Sequence, residues 1–126
     1  MKKPKGYHSI TPYFTAADAD KLIDFTVEVF GGNVIKIDRN TKGRVQHARI
    51  RIGDSVIMLN EESEDYSANV SQMHLYVEDV ATIYTNALLA GATSTMEPNI
   101  RPHGDKMAGL KDPCGNLWWI AQYAVE

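Results

Sequence analysis

Apolar residues recur along this chain at two spacings, alternate positions and helical stripes, and they switch between the two in the same order twice. Between Ser9 and Thr15, Ile10, Pro12 and Phe14 alternate with Thr11, Tyr13 and Thr15, which predicts a half-buried strand with Pro12 at an edge or irregular spot. Asp18 then stands at a helix N-cap, and Leu22, Phe25, Thr26, Val29 and Phe30 make one stripe that Gly31-Gly32 ends. Val34 to Asp38 reads as a short strand. Arg44 to Ile52 alternates so that Ala48, Ile50 and Ile52 oppose His47, Arg49 and Arg51, and Gly53-Asp54 turns the chain into Ser55 to Asn60.

Glu61 to Asn69 carries four carboxylates and little to bury, and reads as a solvated connection. The order then restarts. Gln72, His74 and Tyr76 alternate with Met73, Leu75 and Val77; Asp79 caps a stripe of Val80, Ile83, Tyr84, Ala87 and Leu88 that runs to Gly91. Ala92 to Met96 is a strand, Pro98 to Asp105 a long loop, and Lys106 to Lys111 a strand entering the turn Asp112-Pro113-Cys114-Gly115-Asn116. Five apolar residues follow, Leu117-Trp118-Trp119-Ile120-Ala121, as a buried strand. A strand, helix and three strands thus occur twice, offset by about 60 residues, which marks a duplicated unit. The predicted fold is α+β: duplicated βαβββ modules forming a curved, barrel-like mixed sheet with helices outside. It is expected to be a single domain over residues 1–126, with module one about 7–61 and module two about 70–123.

Composition narrows the function classes. The chain has 126 residues, 44% hydrophobic and 23% charged, the balance of one globular domain. Its net charge of -3 argues against a general nucleic-acid partner, which would need a basic field. No stretch approaches a membrane span. The lysine-rich start, Met1 to Gly6, is followed by polar Tyr7-His8-Ser9 instead of an apolar run, so it is expected to be a loosely ordered arm and not a secretory signal. One cysteine, Cys114, permits no internal disulfide and no thiolate metal cluster; a cytoplasmic location is the expectation.

Four runs carry a family resemblance: Ile10-Thr11-Pro12-Tyr13-Phe14, Gly53 to Leu59, His74 to Val80 and Gly104 to Gly109. With the doubled unit, they resemble the vicinal oxygen chelate superfamily of glyoxalases, bleomycin-resistance proteins and extradiol dioxygenases, in its PhnB-like branch. The resemblance implies a divalent metal held by two histidines and one or two glutamates in catalytic members. Those positions fall here on Thr11, Gln72, Met58 (or Ile57, if the register slips by one) and Trp119. Thr11, Met58 and Trp119 are not credible ligands and Gln72 alone is a poor one, so no metal and no cofactor are expected at that place.

The remaining chemistry lies opposite the apolar stripes. His47 and His74 can be read as a relocated metal site with Glu61 or Gln72, or as polar pocket residues; Arg49 and Arg51 as a positive wall for an anion, or as a solvated strand face. Tyr13, Tyr76 and Trp119 suit a flat ligand or a plain structural role, whereas Trp118 and Ile120 have core parity. His8 and His103 read as surface residues, and Cys114 carries little weight as a nucleophile. The expected ligand-binding set is Tyr13, His47, Arg49, Met58, Gln72, His74, Tyr76 and Trp119, with no catalytic residue assigned. The expected function is metal-independent binding of a small organic molecule by a homodimer, as in sequestration or antibiotic resistance. The alternatives are a lyase, isomerase or dioxygenase with a relocated metal, and a structural or regulatory dimer.

Overall fold

Two aspartates open the two helices, as their places ahead of the apolar stripes require. In the computed structural model, which describes residues 2–124, the Asp18 carboxylate accepts the Lys21 amide at 3.2 Å and caps α1 (Ala19–Phe30). Asp79 accepts the amide and hydroxyl of Thr82 at 3.3 and 2.9 Å and caps α2 (Val80–Leu89). A second side chain completes each cap: Glu61 Oε1 accepts the Ala19 amide and Gln122 Oε1 the Val80 amide, at 3.3 and 3.2 Å. First-turn amides have no partner within their own helix, so both ends gain a needed acceptor. Met1 of the arm, and Val125 and Glu126 at the far end of the expected domain, lie outside the described residues.

Contacts gather the chain into two units, Met1–Asn69 and Val70–Glu126. The first holds β1 (Tyr13–Ala16), α1, β2 (Asn33–Arg39), β3 (Val45–Ile52) and β4 (Ser55–Glu61), in the sheet order β1-β4-β3-β2. The second holds β5 (Gln72–Tyr76), α2, β6 (Thr93–Ile100), β7 (Lys106–Lys111) and β8 (Leu117–Gln122), in the order β5-β8-β7-β6. In each, the first strand runs parallel to the last and the other pairs are antiparallel. The fold is therefore α+β, with one four-stranded mixed sheet and one helix in each unit. Asp18 and Asp79, Glu61 and Gln122, and Met58 and Trp119 are equivalent pairs with one common offset of 61.

In the first unit α1 lies on the sheet, with Leu22, Phe25 and Thr26 buried alongside Phe14, Ile50 and Leu59. Gly31, at φ 68°, ends the helix in the left-handed conformation that the apolar side chains before it would resist. In the second unit Val80 and Ala87 are buried, as are Leu110, Trp118 and Ile120 on the strands. The second stripe is narrower than its periodicity predicts. Ile83 and Tyr84 are half-buried, and Leu88 is 39% exposed.

Two strand boundaries and one register differ from expectation. β1 begins at Tyr13 instead of Ser9, leaving Ile10 86% exposed; Pro12 brings no N–H to a ladder, though its carbonyl accepts the Met58 amide. β6 runs through Pro98 to Ile100, because an edge strand needs no inward N–H at every position and the pairing shifts register between Met96 and Asn99. In β3 the pairing slips between Asp38 and Arg39, which pair with His47 and Val45, so strict alternation fails there and Val45 is buried.

Candidate functional site

Strand register selects which polar side chains share a face. On the first sheet Ala48, Ile50, Ile57 and Leu59 are buried, and the residues between them, His47, Arg49, Arg51 and Met58, are half-buried on the opposite side. Met58 pairs with both Tyr13 and Arg49, so these three form a row across β1, β4 and β3. Ile57 is 4% exposed on the other side, which leaves Met58 as the residue at this position of the face.

The polar groups of this face form a chain. Arg49 Nε donates to His47 Nε2 at 3.1 Å, and His47 Nδ1 is 3.2 Å from the Tyr13 hydroxyl. An arginine N–H can only donate, so Nε2 must be the unprotonated nitrogen of a neutral ring and Nδ1 carries the hydrogen. Nδ1–H then donates to the Tyr13 oxygen, and the Tyr13 O–H is left to donate elsewhere. Burial first, and then the Arg49 charge, hold the His47 imidazole below its ordinary range, in agreement with this assignment. Burial, and then Tyr66, raise the Tyr13 phenol, which keeps it a neutral donor.

The N-terminal arm is more ordered than its composition suggests. The Tyr7 amide donates to the Pro4 carbonyl, the Arg49 guanidinium stands 5.8 Å from the centre of the Tyr7 ring, and Arg51 Nη1 donates to the Gly6 carbonyl at 3.3 Å. Arginine attracts an aromatic face and a carbonyl together, so two strand residues fasten a segment that lacks secondary structure of its own. Tyr7 and Gly6 were not legible as site residues in the sequence, because nothing near them in the chain reveals that partner.

On the second sheet, Trp119 pairs with His74 on one side and Gly109 on the other. A Cβ added at Gly109 would lie 2.7 Å from the Trp119 ring, so the indole lies on bare backbone that only glycine offers. Trp119 Nε1 donates to Gln72 Oε1 at 2.7 Å. His74 and Tyr76 meet edge to face at 4.8 Å, and Tyr123, absent from the expected set, meets Tyr76 at 6.3 Å. Thus Tyr13, His47, Arg49 and Met58 come together in the first unit, and Gln72 with Trp119 and His74 with Tyr76 in the second.

Several of the candidate metal donors already have partners. Gln72 accepts from Trp119, Glu61 is shared between the Ala19 amide and Arg44, and the lone pair of His47 Nε2 is taken by Arg49. Thr11 and Met58 supply a neutral hydroxyl and a thioether. Among the described residues no group of three or more His, Cys, Asp or Glu is placed to hold a metal ion. No helix among them is long and apolar enough to cross a membrane. A pocket of about 290 Å³ in the first unit is bordered by Arg44, Asn60, Glu61, Asp65 and Tyr66; none of the expected ligand-binding set lines it, though Glu61, a candidate in the relocated-metal reading, does.

The sequence matches the signature of the Glyoxalase/Bleomycin resistance protein/Dioxygenase superfamily over residues 8–120. Among solved structures, TioX from Micromonospora sp. ML1 is similar at TM-score 0.78 and 22% identity, over 93% of this chain and 99% of that one. The PhnB protein from Bacillus cereus is similar at TM-score 0.76 and 16% identity, over 92% and 100%. At these identities the likeness is one of fold. An uncharacterised protein from Mycobacterium tuberculosis H37Rv is 28% identical over 94% of this chain and 76% of its own length.

Proposed function

The chain belongs to the Glyoxalase/Bleomycin resistance protein/Dioxygenase superfamily, and from that premise we propose that it binds a small organic molecule without a metal, in the manner of the bleomycin-resistance type. The observation that carries this reading is the Tyr13–His47–Arg49 chain. It engages both ring nitrogens of His47, one of the two histidines a relocated metal would need, and leaves the Tyr13 O–H and several Arg49 N–H groups available as donors. A polar row with few groups to fix orientation, beside apolar and aromatic area, is the usual make-up of a small-molecule site. Met58 supplies a soft contact in the first unit, and Trp119, His74 and Tyr76 offer flat surfaces in the second.

The proposal includes a homodimer, the PhnB-like branch and a cytoplasmic location. Exposed apolar residues, the likeness in fold to the Bacillus cereus PhnB protein and the single cysteine support these respectively. The enzyme alternative, a lyase, isomerase or dioxygenase with a relocated metal, would require Arg49 to release His47 Nε2. Elemental analysis of the purified protein separates the two: less than about a tenth of an equivalent of any divalent metal is expected, with no gain in melting temperature on adding nickel, zinc or manganese. A stoichiometric metal that is lost when His47 is substituted would overturn the binder reading. A thermal-shift screen of small aromatic and heterocyclic compounds tests binding itself, because a molecule bound only by the folded state raises its melting temperature.

A further inference from the structure

Four arginines belong to the first unit, and the structure treats them in two ways. Arg39 pairs with Asp20 at 2.7 Å and Arg44 pairs with Glu61 at 2.5 Å. Arg49 and Arg51 are half-buried, and among the described residues neither has a carboxylate within ion-pair distance. Asp38, which pairs with His47 in the register, is engaged instead by Lys36 at 3.6 Å. A guanidinium partly removed from water and without a counter-charge is costly to hold, and the fold holds two on one face of β3.

The surroundings keep these cations in place without neutralising them. Arg49 is steadied by the neutral His47 ring and by the Tyr7 ring, and Arg51 by the Gly6 carbonyl, all uncharged partners. Each guanidinium has five N–H donors, most of which these contacts leave unused. Residues two apart on a strand project from the same face about 7 Å apart, a spacing that lets two guanidinium groups converge on one oxyanion. Tyr13, in the row with Met58 and Arg49, adds a neutral O–H donor on the same face.

We propose that Arg49 and Arg51 form an oxyanion site, so that the molecule bound on this face carries a carboxylate or a phosphate beside its apolar part. The inference rests on the small-molecule reading above and adds the class of ligand to it. Guanidinium recognises both groups by paired, charge-assisted hydrogen bonds, so the two are one chemistry at the protein and differ only in what the ligand supplies.

The test follows the arginine Nε–H resonances by NMR while the protein is titrated with benzoate and phenyl phosphate, and with their neutral counterparts benzamide and benzyl alcohol. The oxyanions are expected to move the Arg49 and Arg51 resonances and to bind at least about tenfold more tightly than the matched neutral compounds. The comparison of benzoate with phenyl phosphate identifies which of the two the site prefers. Arg51→Gln, which leaves the Tyr13–His47–Arg49 chain intact, should lose most of the preference even if Arg49→Gln fails to fold, and Arg51→Lys should keep part of it. Equal affinity for benzoate and benzamide overturns the oxyanion site and leaves the small-molecule reading standing. A preference that survives in Arg51→Gln and in the Arg49→Gln/Arg51→Gln protein also overturns it. If no compound of either kind binds at millimolar concentration, both readings fall.

Discussion

Asp112 shows what one side chain can organise. It is 4% exposed, and its carboxylate accepts the Cys114 and Asn116 amides at 2.8 and 3.1 Å, the Asn116 side chain at 2.9 Å and the Trp118 indole at 2.8 Å. Asn116 in turn accepts the Ser71 amide at 2.8 Å, which ties the turn to the entry of β5. Asp112→Ala would leave several buried donors without an acceptor, and a loss on the order of 3–5 kcal/mol is expected in urea unfolding; an unchanged midpoint would refute this account. His47 supplies a second prediction. Its folded-state affinity for a proton is depressed, so the unfolded chain binds more protons as pH falls below about 6.5 and stability should decline through that window, being fully present above it. NMR titration should place the His47 midpoint below that of an exposed histidine, and Arg49→Gln should bring it part of the way back, because burial is the larger cause.

At the scale of elements, the helices have equivalent caps and unequal footing. α1 buries Leu22, Phe25, Thr26 and Val29 on its sheet, whereas α2 buries Val80 and Ala87 and leaves Leu88 and Leu89 39% and 83% exposed. Phe25, packed edge to face on Phe30 at 5.5 Å, should therefore lose about 3–5 kcal/mol on replacement by Ala. Leu88→Ala should lose less than about 1 kcal/mol, since little area returns to water. Chemical denaturation of both variants checks the pair, and equal losses would mean that the two helices are equally well buried.

For the molecule as a whole, exposed apolar side chains are the feature that a single chain leaves unexplained. Val34 and Ile35 on the edge strand β2 are 45% and 43% exposed, and Ile100 on the edge strand β6 is 67% exposed. Edges of this kind invite pairing, and closed twofold association is the commonest way soluble chains cover them. Light scattering at micromolar concentration is expected to give twice the chain mass, and a monomeric mass would remove the dimer from the proposal. Likeness of fold does not decide the chemistry, because one fold carries many functions and each rests on the side chains of its own site.

Local pattern was enough for the repeated order of elements, both aspartate caps and the core parity of Trp118 and Ile120, because each depends on neighbours a few residues away in the chain. It was also enough to put His47 and Arg49 opposite the apolar stripe, since alternation along a strand assigns a face without knowledge of the partner strand. Tertiary structure alone decided what those side chains meet. The hydrogen bonds from Arg49 to His47 and from Trp119 to Gln72, the fastening of Tyr7 and Gly6 by the strand arginines, and the bare backbone of Gly109 beneath an indole depend on register, bulges and contacts between distant segments. The burial of Val45 and the exposure of Leu88 have the same origin: one slip in pairing, or the extent of the surface facing a helix, changes a side chain's surroundings while its place in the sequence stays the same.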